Sequence, residues 1–238
     1  MTRIKVAMVA VIVSLLVAGC NVRTQEFNQR VMQDLPLEVQ QVQTALDQYM
    51  EQTPVLPIKS TQGHSFYEKY VLDLKQLDAF LGSRPANSFE KGGSFVFVVA
   101  NPGEGKNYQV RVLDLRVTEE LRDLNRRVDH YQRSNGEWPQ GEREGEEFYR
   151  LDYKKLGIDP VTIPSPYSGQ GSLSVLINAD GELFLDYRAE VMQLLEKEDK
   201  DTEKKADLRE RLWEDSVYVP AYSPLMEEKD GEPILSTE

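Results

Sequence analysis

Two stretches of the chain echo one another at a constant spacing, and an internal repeat of this kind narrows the possible folds more than any other feature. Ala45-Leu46-Asp47-Gln48-Tyr49, Pro57 and Phe66-Tyr67 are answered by Arg127-Val128-Asp129-His130-Tyr131, Pro139 and Phe148-Tyr149. Asp47 to Asp129, Tyr49 to Tyr131, Pro57 to Pro139 and Phe66 to Phe148 are each 82 positions apart. The likeness continues at a spacing of 79, where Leu72-Asp73-Leu74-Lys75-Gln76-Leu77 meets Leu151-Asp152-Tyr153-Lys154-Lys155-Leu156. Each stretch then carries an alternating apolar hairpin and a closing Asp-x-Arg, Asp114-Leu115-Arg116 in one and Asp186-Tyr187-Arg188 in the other. The expectation is an α+β fold built as a tandem duplication of a helix plus antiparallel hairpin unit. Residues 37–116 form the first repeat and 117–195 the second.

Each unit opens with a predicted helix. Val39, Val42, Leu46, Tyr49 and Met50 share one stripe, and Val117, Leu121, Leu124, Val128 and Tyr131 recur at steps of four and three. The second helix should stop at Ser134-Asn135-Gly136, since Gly136 suits a left-handed cap and Pro139 bars continuation. Strands are expected over Phe95 to Val99 and Tyr108 to Leu113, and over Leu173 to Ile177 and Leu183 to Tyr187. The second pair flanks the tight-turn dipeptide Asp180-Gly181. Residues 196–238 read as a charged helix and a C-terminal tail, with Leu208, Leu212 and Trp213 resuming a helical stripe. The tail could dock as a hairpin, wrap the repeats or fray. Its Tyr218 and Tyr222 could line a binding surface or simply pack.

The N-terminus has a different logic. Arg3 and Lys5 precede an apolar run from Val6 to Leu16, broken by Ser14 alone, and then Val17-Ala18-Gly19-Cys20. That is the layout of a secretory signal. From Val6 to Ala18 the run is 13 residues, shorter than the roughly 20 a bilayer-spanning helix needs. Val17, Ala18, Gly19 and Cys20 resemble the lipobox of bacterial lipoproteins. The resemblance implies cleavage before Cys20 and a diacylglycerol on its thiol, with residues 1–19 as signal peptide and 20–36 as a lipidated linker. The alternative is an uncleaved signal anchor. Cys20 is the only cysteine, so no internal disulfide can form.

Loss of Arg3 and Lys5 with the signal leaves 26 basic against 40 acidic residues, a net charge of −14. A polyanion of this kind is repelled by nucleic acid and by anionic headgroups. Nucleic acid is therefore not an expected partner.

Tyr131, Asn135, Gly136, Trp138 and Pro139, with Tyr167 and the hairpin after it, resemble the globular part of type IV pilins and pseudopilins. The N-terminus departs from that family, so only the fold is implied. The lipobox, the Asn135-Gly136-x-Trp138-Pro139 turn and the Val217 to Pro224 tail together resemble uncharacterised lipoproteins of Gram-positive spore-forming bacteria, some labelled as ABC-transporter binding proteins. That resemblance implies a location and no catalytic residues.

Candidate chemistry is sparse. His64 and His130 are the only histidines, and their surroundings lack a zinc-ligand spacing. Ser168-Gly169-Gln170-Gly171-Ser172 lacks the Gly-x-Ser-x-Gly elbow of a serine nucleophile. Ala100 to Asn107 approaches a phosphate loop but has Ala100 for the first glycine and Asn107 for the hydroxyl, which leaves a hairpin loop. The charged run from Glu196 to Lys205 lacks the spacing that wraps calcium. Glu142, Glu144, Glu146 and Glu147 make an acidic loop, and a pair of carboxylates for glycoside hydrolysis cannot be nominated from 40 acids.

The expectation is a non-enzymatic lipoprotein of the extracytoplasmic membrane face that binds or scaffolds envelope components. A transporter's substrate-binding lipoprotein is the alternative and a cell-wall hydrolase the third. Catalytic and metal residues are expected to be none. No cofactor is expected beyond the covalent diacylglycerol on Cys20, with or without an N-acyl group. The partners are the lipid bilayer and an envelope protein or small solute. Cys20→Ser should abolish metabolic labelling with fatty acid and leave unprocessed precursor on a gel, whereas unchanged processing would refute the lipobox.

Overall fold

A computed structural model describes residues 33–59, 67–102, 108–168, 171–197 and 205–236. The lipobox residues Val17, Ala18, Gly19 and Cys20, and His64, lie outside the described residues. The fold is α+β with antiparallel sheets.

Helix α1 covers 33–52. Leu35, Val39, Val42, Ala45 and Leu46 are buried along it, so the apolar stripe extends one turn further back than the heptad-like pattern suggested. Strands β1 (Phe95–Val99) and β2 (Val110–Asp114) pair as an antiparallel hairpin, with Phe97 opposite Val112. One face of that hairpin, Phe95, Phe97, Val99, Val110 and Val112, packs on α1. The strands do not alternate cleanly between buried and exposed positions. Val98 and Leu113 on the other face are covered by Trp213, Val219 and Ala221 from the C-terminal part. Two-sided burial is the reason the strand reads as the near-continuous apolar run Phe95-Val96-Phe97-Val98-Val99.

Helix α3 (Leu115–Asn135) follows the short α2 (Asp78–Leu81) and buries Val117, Leu121, Leu124 and Val128. Each such side chain contributes roughly 1.5–3 kcal/mol relative to exposure. Asp114 caps the helix by accepting from Arg116 N–H, and Gly136 ends it in the left-handed region at φ 75°. Gly136 N–H donates to the Gln132 carbonyl, satisfying one of the last carbonyls.

Strands β3 (Gln140–Arg143), β4 (Phe148–Leu151), β5 (Ile163–Pro164), β6 (Ser172–Asn178) and β7 (Leu183–Asp186) form a five-stranded antiparallel sheet beneath α3. Both β4 and β5 pair with β6, and β7 takes its other edge. Between β4 and β5 lies the one-turn α4 (Tyr153–Leu156), capped by Asp152. Then come α5 (Arg188–Leu195), α6 (Arg209–Glu214) and a hairpin of β8 (Leu225–Lys229) and β9 (Glu232–Ser236). Leu208, Leu212 and Trp213 are buried at α6, and the tail is a docked hairpin.

The halves differ in their sheets: the first has a two-stranded hairpin with isolated bridges beside it, the second has five strands. Certain hydrogen bonds nonetheless recur at the sequence spacings. Asp73 N–H donates to the Pro57 carbonyl at 2.7 Å, and Asp152 N–H donates to the Pro139 carbonyl at 2.9 Å. Lys75 N–H donates to Asp73 Oδ1 at 3.1 Å, and Lys154 N–H to Asp152 Oδ1 at 3.0 Å. Ile58 bridges Leu72 as Gln140 pairs with Leu151.

The C-terminal segment 217–222 joins the halves. Val112 N–H donates to the Val217 carbonyl at 2.8 Å and Val219 N–H to the Val112 carbonyl at 3.0 Å, extending the first sheet past β2. Three residues on, the Tyr222 carbonyl accepts from Leu185 N–H on β7 at 2.9 Å, so one strap serves both sheet edges.

The turn between β6 and β7 is organised by Asn178, whose Oδ1 accepts from Asp180 N–H at 3.0 Å and Glu182 N–H at 2.9 Å. Gly181 sits at φ 87°, and a Cβ there would lie 2.6 Å from the Trp138 ring. Gly181→Ala should cost about 2–4 kcal/mol, from left-handed strain plus overpacking. Chemical denaturation followed by tryptophan fluorescence checks this, with a shifted Trp138 emission expected in the folded state.

Candidate functional site

The acidic loop of the second half becomes one wall of the largest groove described, about 650 Å³ in volume. The end of β3 supplies Arg143, the β3–β4 loop Glu144 and Glu147, α5 Arg188, and the β8–β9 hairpin Glu227 and Lys229. Sequence reading places Glu142, Glu144, Glu146 and Glu147 together, but the groove distinguishes them. Glu142, Glu146 and Glu147 are exposed, whereas Glu144 is turned inward with its side chain 16% exposed.

Glu144 is held by two guanidinium groups. Arg188 Nη2 donates to Glu144 Oε2 at 2.8 Å, and Arg150 Nε donates to Glu144 Oε1. Arg188 also makes a two-point contact with Asp186, at 2.9 Å to Oδ1 and 2.6 Å to Oδ2. Such charge-assisted bonds are about twice as strong as neutral ones. The Arg188 bond, aided by Arg150, holds the Glu144 carboxyl below the ordinary glutamate range despite its burial. Arg188 is shifted upward, chiefly by its bond to Asp186 and further by Glu144. A carboxyl in this state is a fixed anion rather than a proton donor.

His130 is exposed on α3 and borders a shallower groove of about 380 Å³ with Arg126, Arg127, Tyr131 and Asn135. The Asn-Gly-x-Trp-Pro residues serve the architecture. Asn135 Nδ2 donates to the Tyr131 carbonyl at 2.9 Å, Gly136 caps the helix, and Trp138 covers Gly181. No group of three or more His, Cys, Asp or Glu residues suited to a metal ion is found among the described residues. Ala100 and Asn101 begin the β1–β2 loop, and Asn101 Oδ1 accepts from Gln109 N–H at 2.6 Å.

Tyr218 and Tyr222 pack at the junction of the halves. The Tyr167 ring meets Tyr187 edge-on at 5.7 Å and Tyr218 at 6.4 Å. Tyr187 hydroxyl donates to the Ala221 carbonyl at 3.1 Å and Tyr167 hydroxyl to the Tyr218 carbonyl at 3.2 Å. Burial pushes both phenols well above their ordinary range. Tyr222 hydroxyl donates to Glu68 Oε1 at 2.8 Å, crossing from one half to the other.

Residues 36–114 match the YphF family N-terminal domain. The match runs from α1 through β2, about a third of the chain, and stops at the aspartate that caps α3. No curated protein and no solved structure matches the chain.

Arg150 and Arg188 carry no local sequence signal of a site. Arg188 stood in the closing Asp-x-Arg, but its reach to Glu144, 44 residues away, depends on sheet register. Because the folded Glu144 carboxyl lies below its unfolded value, its contribution to stability is complete above roughly pH 4.3 and is lost as pH falls through the lowered value. Glu144→Gln should therefore lower the melting temperature at neutral pH and flatten its decline between about pH 5 and pH 3. Thermal melts of both proteins across that range are the check. Parallel curves would mean the ion pairs contribute nothing.

Proposed function

We propose that the protein is a lipid-anchored extracytoplasmic lipoprotein with a binding or scaffolding role in the cell envelope. The lipobox-like Val17-Ala18-Gly19-Cys20 places the anchor at the start of the body. Two acyl chains, at roughly 0.8 kcal/mol per buried methylene, hold a protein to a bilayer stably. Among the described residues no helix is long and apolar enough to cross a membrane. With the signal removed, a net charge of −14 keeps the body off an anionic headgroup surface and available to partners.

The observation that carries the binding role is the charged groove of about 650 Å³ whose inward carboxylate, Glu144, is fixed by Arg188 and Arg150. Fixed charges of both signs suit the recognition of a polar polypeptide surface. A carboxyl that must donate a proton needs a raised value, as general acids do. Among the described residues the sheets are antiparallel and lack the βαβ alternation from which paired α/β lobes are built, which favours this role over a transporter's solute receptor. We further infer that the halves derive from one ancestral unit. The recurrent Asp-to-proline-carbonyl bonds at Asp73 and Asp152 support that descent.

Chemical crosslinking in the native membrane, followed by pull-down, tests the reading. A partner should be recovered with the wild-type protein and lost with the charge reversals Glu227→Lys and Lys229→Glu, both on exposed positions of the hairpin. Recovery of no partner, or equal recovery with the reversals, would sink the proposal.

A further inference from the structure

A smaller concavity lies between α5, α6 and the loop before β6, and shares no lining residue with the groove around Glu144. Its volume is about 140 Å³, on the order of five waters at roughly 30 Å³ each. Its floor holds Glu190, which is only 7% exposed. Glu190 Oε2 is buried and has no hydrogen-bond partner among the described residues. Burying a carboxylate oxygen without a donor is costly, and such atoms in native proteins call for a specific explanation.

The walls narrow the choice of donor. Tyr167, Leu194 and Leu212 give part of the lining an aromatic and apolar surface, Gln193 and Ser216 add polar groups, and Lys197 and Asp215 stand at the exposed rim. A divalent metal needs several oxygen ligands at once, and no such cluster is found among the described residues. An ammonium group on a short alkyl chain suits Glu190 and the apolar side chains beside it. Its N–H groups bond the carboxylate, its charge matches both the carboxylate and the acidic protein, and its alkyl part meets the leucines and the tyrosine ring.

We propose that this cavity is a binding site for a small primary alkylammonium group, with Glu190 as its counter-ion. The site is independent of the partner groove, so either can fail without the other.

Backbone amide NMR of the full chain in detergent micelles tests it, with methylammonium and ethylammonium chloride added at matched ionic strength against sodium chloride. Saturable shifts are expected at residues 188–197 and 212–216, weakened at least tenfold by Glu190→Gln. Tetramethylammonium, a cation without N–H groups, should not compete. The variant should melt no lower than wild type, because an amide is less costly to bury than an unpaired carboxylate. Shifts equal to those of sodium chloride, shifts retained in Glu190→Gln, or equal binding of tetramethylammonium would each overturn the proposal. A large loss of stability in Glu190→Gln would also overturn it, since the carboxylate would then be satisfied within the fold.

Discussion

The strap formed by residues 217–222 is the interaction on which the rest of the structure depends. A β-strand edge exposes unpaired N–H and C=O groups that must find partners. The edges of β2 and β7 find them in one segment, through Val217, Val219 and Tyr222. The hydroxyls of Tyr167 and Tyr187 fix its carbonyls at Tyr218 and Ala221. Trp213, Val219 and Ala221 then cover the face of β1–β2 opposite α1. The strap therefore lies between the cores of the two halves, with the Tyr167 ring packed against both.

A second device recurs at helix starts. In Asp114-Leu115-Arg116, Asp186-Tyr187-Arg188 and Asp207-Leu208-Arg209, the aspartate accepts from the N–H two residues on and pairs with the arginine side chain. The capping bond satisfies a backbone donor that the helix leaves orphaned. The arginine reaches further with its remaining donors. Arg188 reaches Glu144, and Arg209, only 4% exposed, reaches the Ser223 carbonyl at 3.1 Å. A local turn motif thus becomes a long-range tie from α5 to the β3–β4 loop and from α6 to the segment before β8.

The helices were legible because burial on one side imposes a period near 3.6, as the buried Val117, Leu121, Leu124 and Val128 illustrate. The turn at Asp180-Gly181 and the stop at Gly136 were legible because positive φ nearly demands glycine. The third Asp-x-Arg, at Asp207, was present in the sequence but fell outside the apparent repeat. The two-sided burial of β1 was foreshadowed by its unbroken apolar run, although nothing local named Trp213 as its cover.

By itself, the sequence determined the α+β class, the antiparallel hairpins, the helix faces and the acidic charge, since each follows from periodicity, turn chemistry or composition over a short window. Only the tertiary structure decided which acids matter. Glu144 and Glu190 are ordinary members of a set of 40. One becomes an inward anion held by Arg150 and Arg188, and the other has a buried oxygen at the floor of a cavity. The physical reason is that a carboxylate's role is set by its desolvation and by the donors within reach. Those come from β4, α5, α6 and the strap, whose meeting no local pattern encodes.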